Sequence, residues 1–257
     1  MTHLTVLGSS NAIASPGHNN THFAIITHER KVLIDCGSNP VVSIEQSGEQ
    51  VNSITDIILT HFHPDHVSGL PLLLMDMWLM GRRQSLNVYG LDYTIDRVES
   101  MMELFGWTDW PNFYKVNFIR VELADMAVVL DNEQMRIYSS PVNHFLPNIC
   151  LRIELKTEDK IIAYSCDTEP CQAVLDISNG ADILLHEASG PFTGHSSAAQ
   201  AGETARRAEV GALYLIHYPT GRYSSGDIIA EARASFPGKV VQAVDFMKID
   251  LNKSSNL

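Results

Sequence analysis

Short runs of β-branched and other apolar residues, each bounded by turn-forming residues, recur along the chain. They are Leu4–Leu7, Phe23–Thr27, Lys31–Asp35, Asp56–Thr60, Asn87–Tyr89, Val116–Glu122, Met135–Ser139, Ile149–Lys156, Ile161–Ser165, Ile183–His186, Leu213–His217 and Val240–Ala243. Their length and composition predict strands. Longer patterns predict helices: Leu70–Met80 has the apolar density of a buried helix and Asp92–Phe105 is amphipathic. Ser196–Glu209 is rich in Ala, Glu and Arg, and Ser225–Phe236 follows a Ser and Gly start. Strands in a meander early, then alternating with helices, predict two sheets covered by helices, an α/β (α+β) architecture. No repeat, low-complexity tract or linker divides the 257 residues, so a single domain over 1–257 is expected.

Composition narrows the class. With 45% hydrophobic and 19% charged residues and a mean hydropathy of -0.03, the chain is neither disordered nor fibrous. The net charge of -12 disfavours a broad basic face for nucleic acid, while leaving room for a local cationic site. Eleven histidines make such a site worth seeking, since imidazole is the commonest metal ligand. The four cysteines, Cys36, Cys150, Cys166 and Cys171, have no CxxC spacing and read as reduced thiols. The opening MTHLTVLGSS lacks the basic and apolar regions of a secretory leader, and no apolar run approaches the roughly 18 residues that cross a bilayer, so a cytoplasmic protein without a membrane partner is expected.

The residues able to do chemistry fall where predicted strands end. His61 follows Ile57–Thr60, Asp167 follows Ile161–Ser165, and His186 and His217 close two further strands. Loops at strand ends on a rigid sheet are where α/β folds gather their sites. The sharpest motif is His61-Phe-His63-Pro-Asp65-His66. In a tight loop, His61 and His63 reach one metal while Asp65 and His66 turn towards a point a few ångströms away, and Pro64 stiffens the turn by fixing φ. Imidazole with carboxylate suits Zn²⁺, Mn²⁺ or Fe.

That motif, with Leu33-Ile-Asp-Cys-Gly37 before it and Gly69-Leu-Pro71 after it, resembles the metallo-β-lactamase fold, specifically its ribonuclease Z branch. Further matching segments are Leu7-Gly-Ser-Ser10, Val142-Asn-His144, Cys166-Asp-Thr168, Leu185-His-Glu-Ala188, Gly194-His-Ser-Ser197, Ile216-His-Tyr218 and Arg222-Tyr223. The resemblance implies a four-layer αβ/βα sandwich with two divalent ions, zinc first and Mn or Fe as alternatives. It assigns His61, His63 and His144 to one ion, Asp65, His66 and His217 to the other, and Asp167 to both. It also implies that Glu187 and His195 act together on the leaving group, and that the protein is a homodimer, as related hydrolases often are.

Two metals lower the pKa of water and clamp phosphoryl or carbonyl oxygens, so hydrolysis is the expected reaction. Asp65 is expected to orient the water and take its proton, while an aliphatic alkoxide needs a proton back, which points to Glu187 and His195. His195 also stands at a helix start that Ser196 or Ser197 caps, and a helix N-terminus itself favours an anion. His186 is a weaker candidate, for a supporting hydrogen bond. Bacterial ribonuclease Z carries a long basic arm between the positions matching His144 and Asp167. Here the 22 residues Phe145–Cys166 read as a plain hairpin, which with the charge argues against transfer RNA. The expected activity is therefore that of a phosphodiesterase on a small or medium phosphodiester. The alternatives are a ribonuclease Z-type endoribonuclease, a lactone, thioester or sulfate-ester hydrolase, and a non-catalytic metal-binding protein. The aromatic segment Gly81–Asn117 is expected to pack over the sheet, with a substrate lid or a dimer contact as alternatives.

Overall fold

The computed structural model of the chain describes residues 2–224 and 226–252. Seven strands form a first sheet: β1 (His3–Gly8), β2 (His22–Ile26), β3 (Lys31–Ile34), β4 (Asp56–Ile58), β5 (Leu86–Leu91), β6 (Val116–Val121) and β14 (Lys248–Asp250). The second holds β7 (Ala127–Asp131), β8 (Met135–Pro141), β9 (Ile149–Leu155), β10 (Lys160–Tyr164), β11 (Ile183–Glu187), β12 (Ala212–Ile216) and β13 (Lys239–Gln242). Their orders are β14-β1-β2-β3-β4-β5-β6 and β13-β12-β11-β10-β9-β8-β7. Each sheet is antiparallel on one side and parallel on the other, with β3 to β6 and β10 to β13 the parallel runs.

Period-2 alternation divides each strand between two layers of core. Val32 and Ile34 of β3, Ala212, Tyr214 and Ile216 of β12, and Phe23 packed edge-on against Tyr164 at 5.0 Å fill the space between the sheets. The opposite faces take the helices. Leu33 and Ile57 meet α1 (Pro40–Gln46), α3 (Leu70–Leu79) and α4 (Asp92–Leu104), while Leu184, Leu213 and Leu215 meet α5 (Gln172–Ser178), α6 (Ala198–Arg207) and α7 (Ile228–Arg233). The result is the expected four-layer αβ/βα sandwich. Its parallel strands are apolar on both sides because both faces are covered.

All the expected strands are present to within two residues. The short strands β7 and β14, the helices α1 and α5, and α2 (Pro64–Val67) were not foreseen. Each is three to seven residues long, too short to display a period. The last helix is shorter than Ser225–Phe236: it begins after Asp227, whose carboxylate accepts from Ile229 and Ala230 N–H at 3.1 and 3.0 Å. Ser225 itself lies outside the described residues. Both halves of the chain follow the same plan, antiparallel and then parallel, rather than meander first and alternation later. No helix among the described residues is long and apolar enough to cross a membrane.

Candidate metal centre

The parallel strands point their C-terminal ends towards one edge, and the chemistry gathers there. The loop after β4 carries His61 and His63, and α2 begins at Pro64 with Asp65 in its first turn. The loop lies directly on Gly37, where a Cβ would come within 1.9 Å of the Asp65 carbonyl oxygen, so only glycine permits that approach. Asp167 follows β10, Glu187 ends β11 and His217 follows β12. Asp35 (φ 60°), Cys166 (φ 51°) and His217 (φ 51°) adopt the left-handed conformation, a concentration of strained backbone where the side chains must be aimed.

Two sets of ligating atoms result, each within 4.8 Å of one another: His61, His63, His144 and Asp167 in one, Asp65, His66, Asp167 and His217 in the other. His61 Nε2 and His144 Nε2 stand 2.9 and 3.1 Å from His63 Nδ1. Asp65 Oδ2 is 3.4 Å from both His66 Nε2 and His217 Nε2, and Asp167 Oδ2 is 3.5, 3.4 and 4.0 Å from His66, His217 and His61. All seven expected ligands therefore meet, with Asp167 common to both sets.

The outer hydrogen bonds show what these inner atoms require. His66 Nδ1 donates to Asp35 Oδ2 at 2.8 Å, and Thr60 donates to Asp35 through both its N–H and its hydroxyl. The Thr60 oxygen is left to accept from His61 Nδ1 at 3.1 Å. His144 Nδ1 donates to the Gly194 carbonyl at 2.8 Å. The Ser189 hydroxyl donates to the His217 carbonyl at 2.8 Å and accepts from His217 Nδ1 at 2.9 Å. With the outer nitrogens protonated, the inner ones present lone pairs to one another and to two carboxylates, an arrangement that a cation reconciles. His66 Nε2 and Asp167 Oδ1 are buried without a hydrogen-bond partner, as orphaned ligand atoms would be. The residues present fit two divalent ions.

The electrostatics divide the two ligand sets. Burial pushes His61, His63 and His144 below the usual imidazole range, keeping them neutral as ligands must be. Burial also opposes charge on His66 and His217, but Asp167, Asp35 and Asp65 outweigh it at His66, and Asp167, Asp65 and Glu187 outweigh it at His217, raising both, so a bound cation has to displace a proton at each. Burial likewise raises Asp65 and Asp167, yet the facing imidazoles prevail and hold both far below the ordinary carboxylate range.

Beside the cluster, His195 Nδ1 donates to Glu187 Oε1 at 3.0 Å, and its ring stacks on His217 with centroids 5.9 Å apart. Glu187 is fully buried and accepts from Thr168 N–H at 2.7 Å and Ser189 N–H at 3.2 Å. Burial lowers His195, but its carboxylate partner overcomes this and raises it. His195 lines a cavity of about 370 Å³ together with Asn11, Ala12, His63, Asp65, Asp167 and His217. Ser197 caps α6 as expected, with Gln200 returning the bond in a capping box.

His186 is not part of the cluster. Alternation along β11 turns it to the helix side, away from Glu187, where its Nδ1 donates to the Glu187 carbonyl at 2.8 Å and burial lowers its pKa to about 4. Arg222 and Tyr223 pair with each other at 2.9 Å. Trp107, Trp110 and Phe113 pack against the outer core of the first sheet, and Trp78 stacks on Trp110 at 5.4 Å. No residue of 81–117 lines the metal cavity, and the packing expectation holds for Trp107, Trp110 and Phe113. Asp35, Thr60 and Ser189, which orient the ligands, were missed. Asp35 stood in view within Leu33–Gly37, but nothing local says that it reaches His66.

Two helix-covered sheets carrying this His/Asp cluster at one edge define a metal-dependent hydrolase of the metallo-β-lactamase fold. The chain is similar to the metallo-β-lactamase fold protein YhfI of Bacillus subtilis (21% identity, TM-score 0.80, 96% of this chain and 98% of that one). It is likewise similar to the short form of human tRNase Z (23%, TM-score 0.79, 97% and 99%). A ribonuclease Z of Methanothermobacter thermautotrophicus is 27% identical over 307 aligned positions, covering 98% of this chain and 97% of the relative. Residues 2–231 match the family described as anti-Pycsar protein Apyc1, and the chain belongs to that family.

Proposed function

We propose that the protein is a dinuclear metal-dependent phosphodiesterase acting on a small or medium phosphodiester, a cyclic or linear nucleotide among them, with zinc as the metal. The observation that carries this reading is the Glu187–His195 pair facing the ligand cluster. Bound in the two sets, the ions would supply electrophilic charge to the phosphoryl oxygens and acidify water. The chain's own residues do the rest. Asp65, kept ionised by His66 and His217, orients the attacking water by accepting its hydrogen bond. His195 has its Nδ1 engaged by Glu187 and its Nε2 left for the cavity, and the raised pKa keeps a proton there for the departing alkoxide. A lactone or an activated ester needs no such donor, which is why the pair favours a phosphodiester.

The relatives named ribonuclease Z favour a second reading, cleavage of RNA. Against it, the alignment of 307 positions exceeds the 257 residues here, so the relative carries stretches this chain lacks. The segment between His144 and Asp167 holds only β9, a turn and β10, paired from Leu155↔Lys160 to Leu151↔Tyr164. With a net charge of -12, no basic arm is present there to grip a polyanion.

The test compares bis(p-nitrophenyl) phosphate, an aliphatic lactone and an aryl sulfate as substrates of metal-loaded protein. Turnover of the diester is expected; turnover of the lactone alone would sink the reading. His195→Ala is expected to keep both metals and to slow an alkyl-leaving-group diester roughly 100-fold or more, while slowing the nitrophenyl diester far less, because nitrophenolate leaves unprotonated. Equal slowing of both substrates would contradict the proton-donor role.

A further inference from the structure

We propose that Glu169 is a positioning residue: it clamps the turn holding Gly194 and His195 against the loop that carries His144. One carboxylate thereby aims a metal ligand and the proton donor together, and its effect on the proton donor rests on the phosphodiesterase reading. Glu169 is half-buried, belongs to neither ligand set and does not line the metal cavity. Its Oε1 accepts from the Gly194 N–H at 2.7 Å, and the Gly194 carbonyl in turn accepts from His144 Nδ1 at 2.8 Å. Its own N–H donates to the carbonyl of Asn143, the residue before His144, at 3.0 Å.

The backbone leaves Glu169 little freedom. The Thr168 hydroxyl donates to its carbonyl at 2.7 Å, and Pro170 disfavours helical backbone at the residue before it. The turn it holds has freedom to lose. Pro191, Phe192 and Thr193 are exposed, and the N–H groups of Gly190, Phe192 and His195 bond only within the segment 190–196. Bonds to the rest of the protein run from the Ser196 hydroxyl to Thr168, from His195 to Glu187, and from Gly194 to His144 and Glu169. Gly194 has a φ of 78°, and a Cβ there would come 2.8 Å from the Phe145 ring and 3.1 Å from His144 Nδ1. Only glycine lets the main chain pass so close to the ligand it orients.

A hydrogen bond to a carboxylate is about twice as strong as one between neutral groups, so Glu169 fixes the Gly194 main chain firmly. Without it the Gly194 carbonyl leaves His144 Nδ1, and the ring loses the partner that sets its tautomer and points Nε2 at the ion. The same movement carries His195, the following residue, away from Glu187. The other ligand set has supports of its own, Asp35 at His66 and Ser189 at His217. Loss of the clamp therefore weakens the ion held by His144 and spares the one held by His66 and His217.

Titration of the whole protein with zinc against a competing chelator tests the clamp independently of turnover. Glu169→Ala should weaken one of the two zinc equivalents about 10-fold or more and leave the other unchanged. Glu169→Gln, which keeps an acceptor at the same place, should lie closer to the parent than to Glu169→Ala. Should Glu169→Ala not fold, Glu169→Asp, whose shorter side chain withdraws the acceptor, takes its place in that comparison. The proton donor is read separately: Glu169→Ala should slow an alkyl-leaving-group diester more than bis(p-nitrophenyl) phosphate, whose leaving group needs no proton. A purely structural role would lower Tm while leaving both zinc equivalents and the ratio of the two rates in place. That result, equal weakening of both equivalents, equal damage from Gln and Ala, or an unchanged rate ratio overturns the proposal. If the parent protein cleaves neither diester, the phosphodiesterase reading falls, and the chelator titration alone decides for or against the clamp.

Discussion

At the scale of single residues, the metal loop was legible from spacing, the distant ligands only through the family resemblance, and their supports not at all. Three histidines and an aspartate within six positions announce a metal loop because short sequence spacing enforces short spatial spacing. Asp35 precedes His66 by 31 residues and meets it only because β3 and β4 lie side by side, ending together at the site. Its two oxygens hold His66 Nδ1 and Thr60, and Thr60 in turn holds His61, so one carboxylate orients a ligand in each set. Asp35→Asn places an amide N–H against groups that are themselves donors. We expect the variant to fold and to lose about 10- to 100-fold in metal affinity, read by titration against a competing chelator. Undiminished affinity would show that Asp35 is not what aims the two rings.

At the scale of elements, strands and long helices followed their periods, and the short pieces did not. The edge strands β7 and β14 and the one- or two-turn helices α1 and α5 exist because neighbours cover them, not because their own pattern is strong. Packing between elements carries a sharper constraint at Gly202 of α6. A Cβ there would lie 2.3 Å from the Ala232 carbonyl oxygen of α7, so the two helices meet backbone to backbone. Gly202→Ala gains about 1 kcal/mol of helix propensity, yet the overlap forces the helices apart at a cost of about 1–3 kcal/mol or more. A lower urea midpoint with unchanged slope is the expected outcome; a stabilised variant would mean that the approach is not tight. The α6 N-terminus follows directly on the His195 loop, so displacement of α6 is expected to reach the proton donor as well.

At the scale of the whole molecule, the charge of -12 and the ligand cluster complement each other. Two dications in that cluster make one positive pocket on a negative surface, suited to a single phosphate and not to a long polyanion. Ions held by a cluster that exists only in the folded chain stabilise that state by mass action. Removing metal with a chelator should therefore lower Tm, and restoring zinc at about 1,000 times its Kd should return about 4 kcal/mol of stability for each site filled. Calorimetry with and without chelator checks this, and an unmoved Tm would remove the metal from the folded state. What the sequence by itself determined was every property with a short range: the period of each long element, the metal loop, and the absence of room for an arm between His144 and Asp167. Only the tertiary structure decided which distant residues share the site. His144, Asp167, Glu187, His195 and His217 are brought to His61 by the parallel order of strands in two packed sheets, and that order is set by burial of both faces of each sheet. No spacing along the chain encodes it. The same physics turns His186 away, because alternation along a strand assigns a side only once the layers on either side exist.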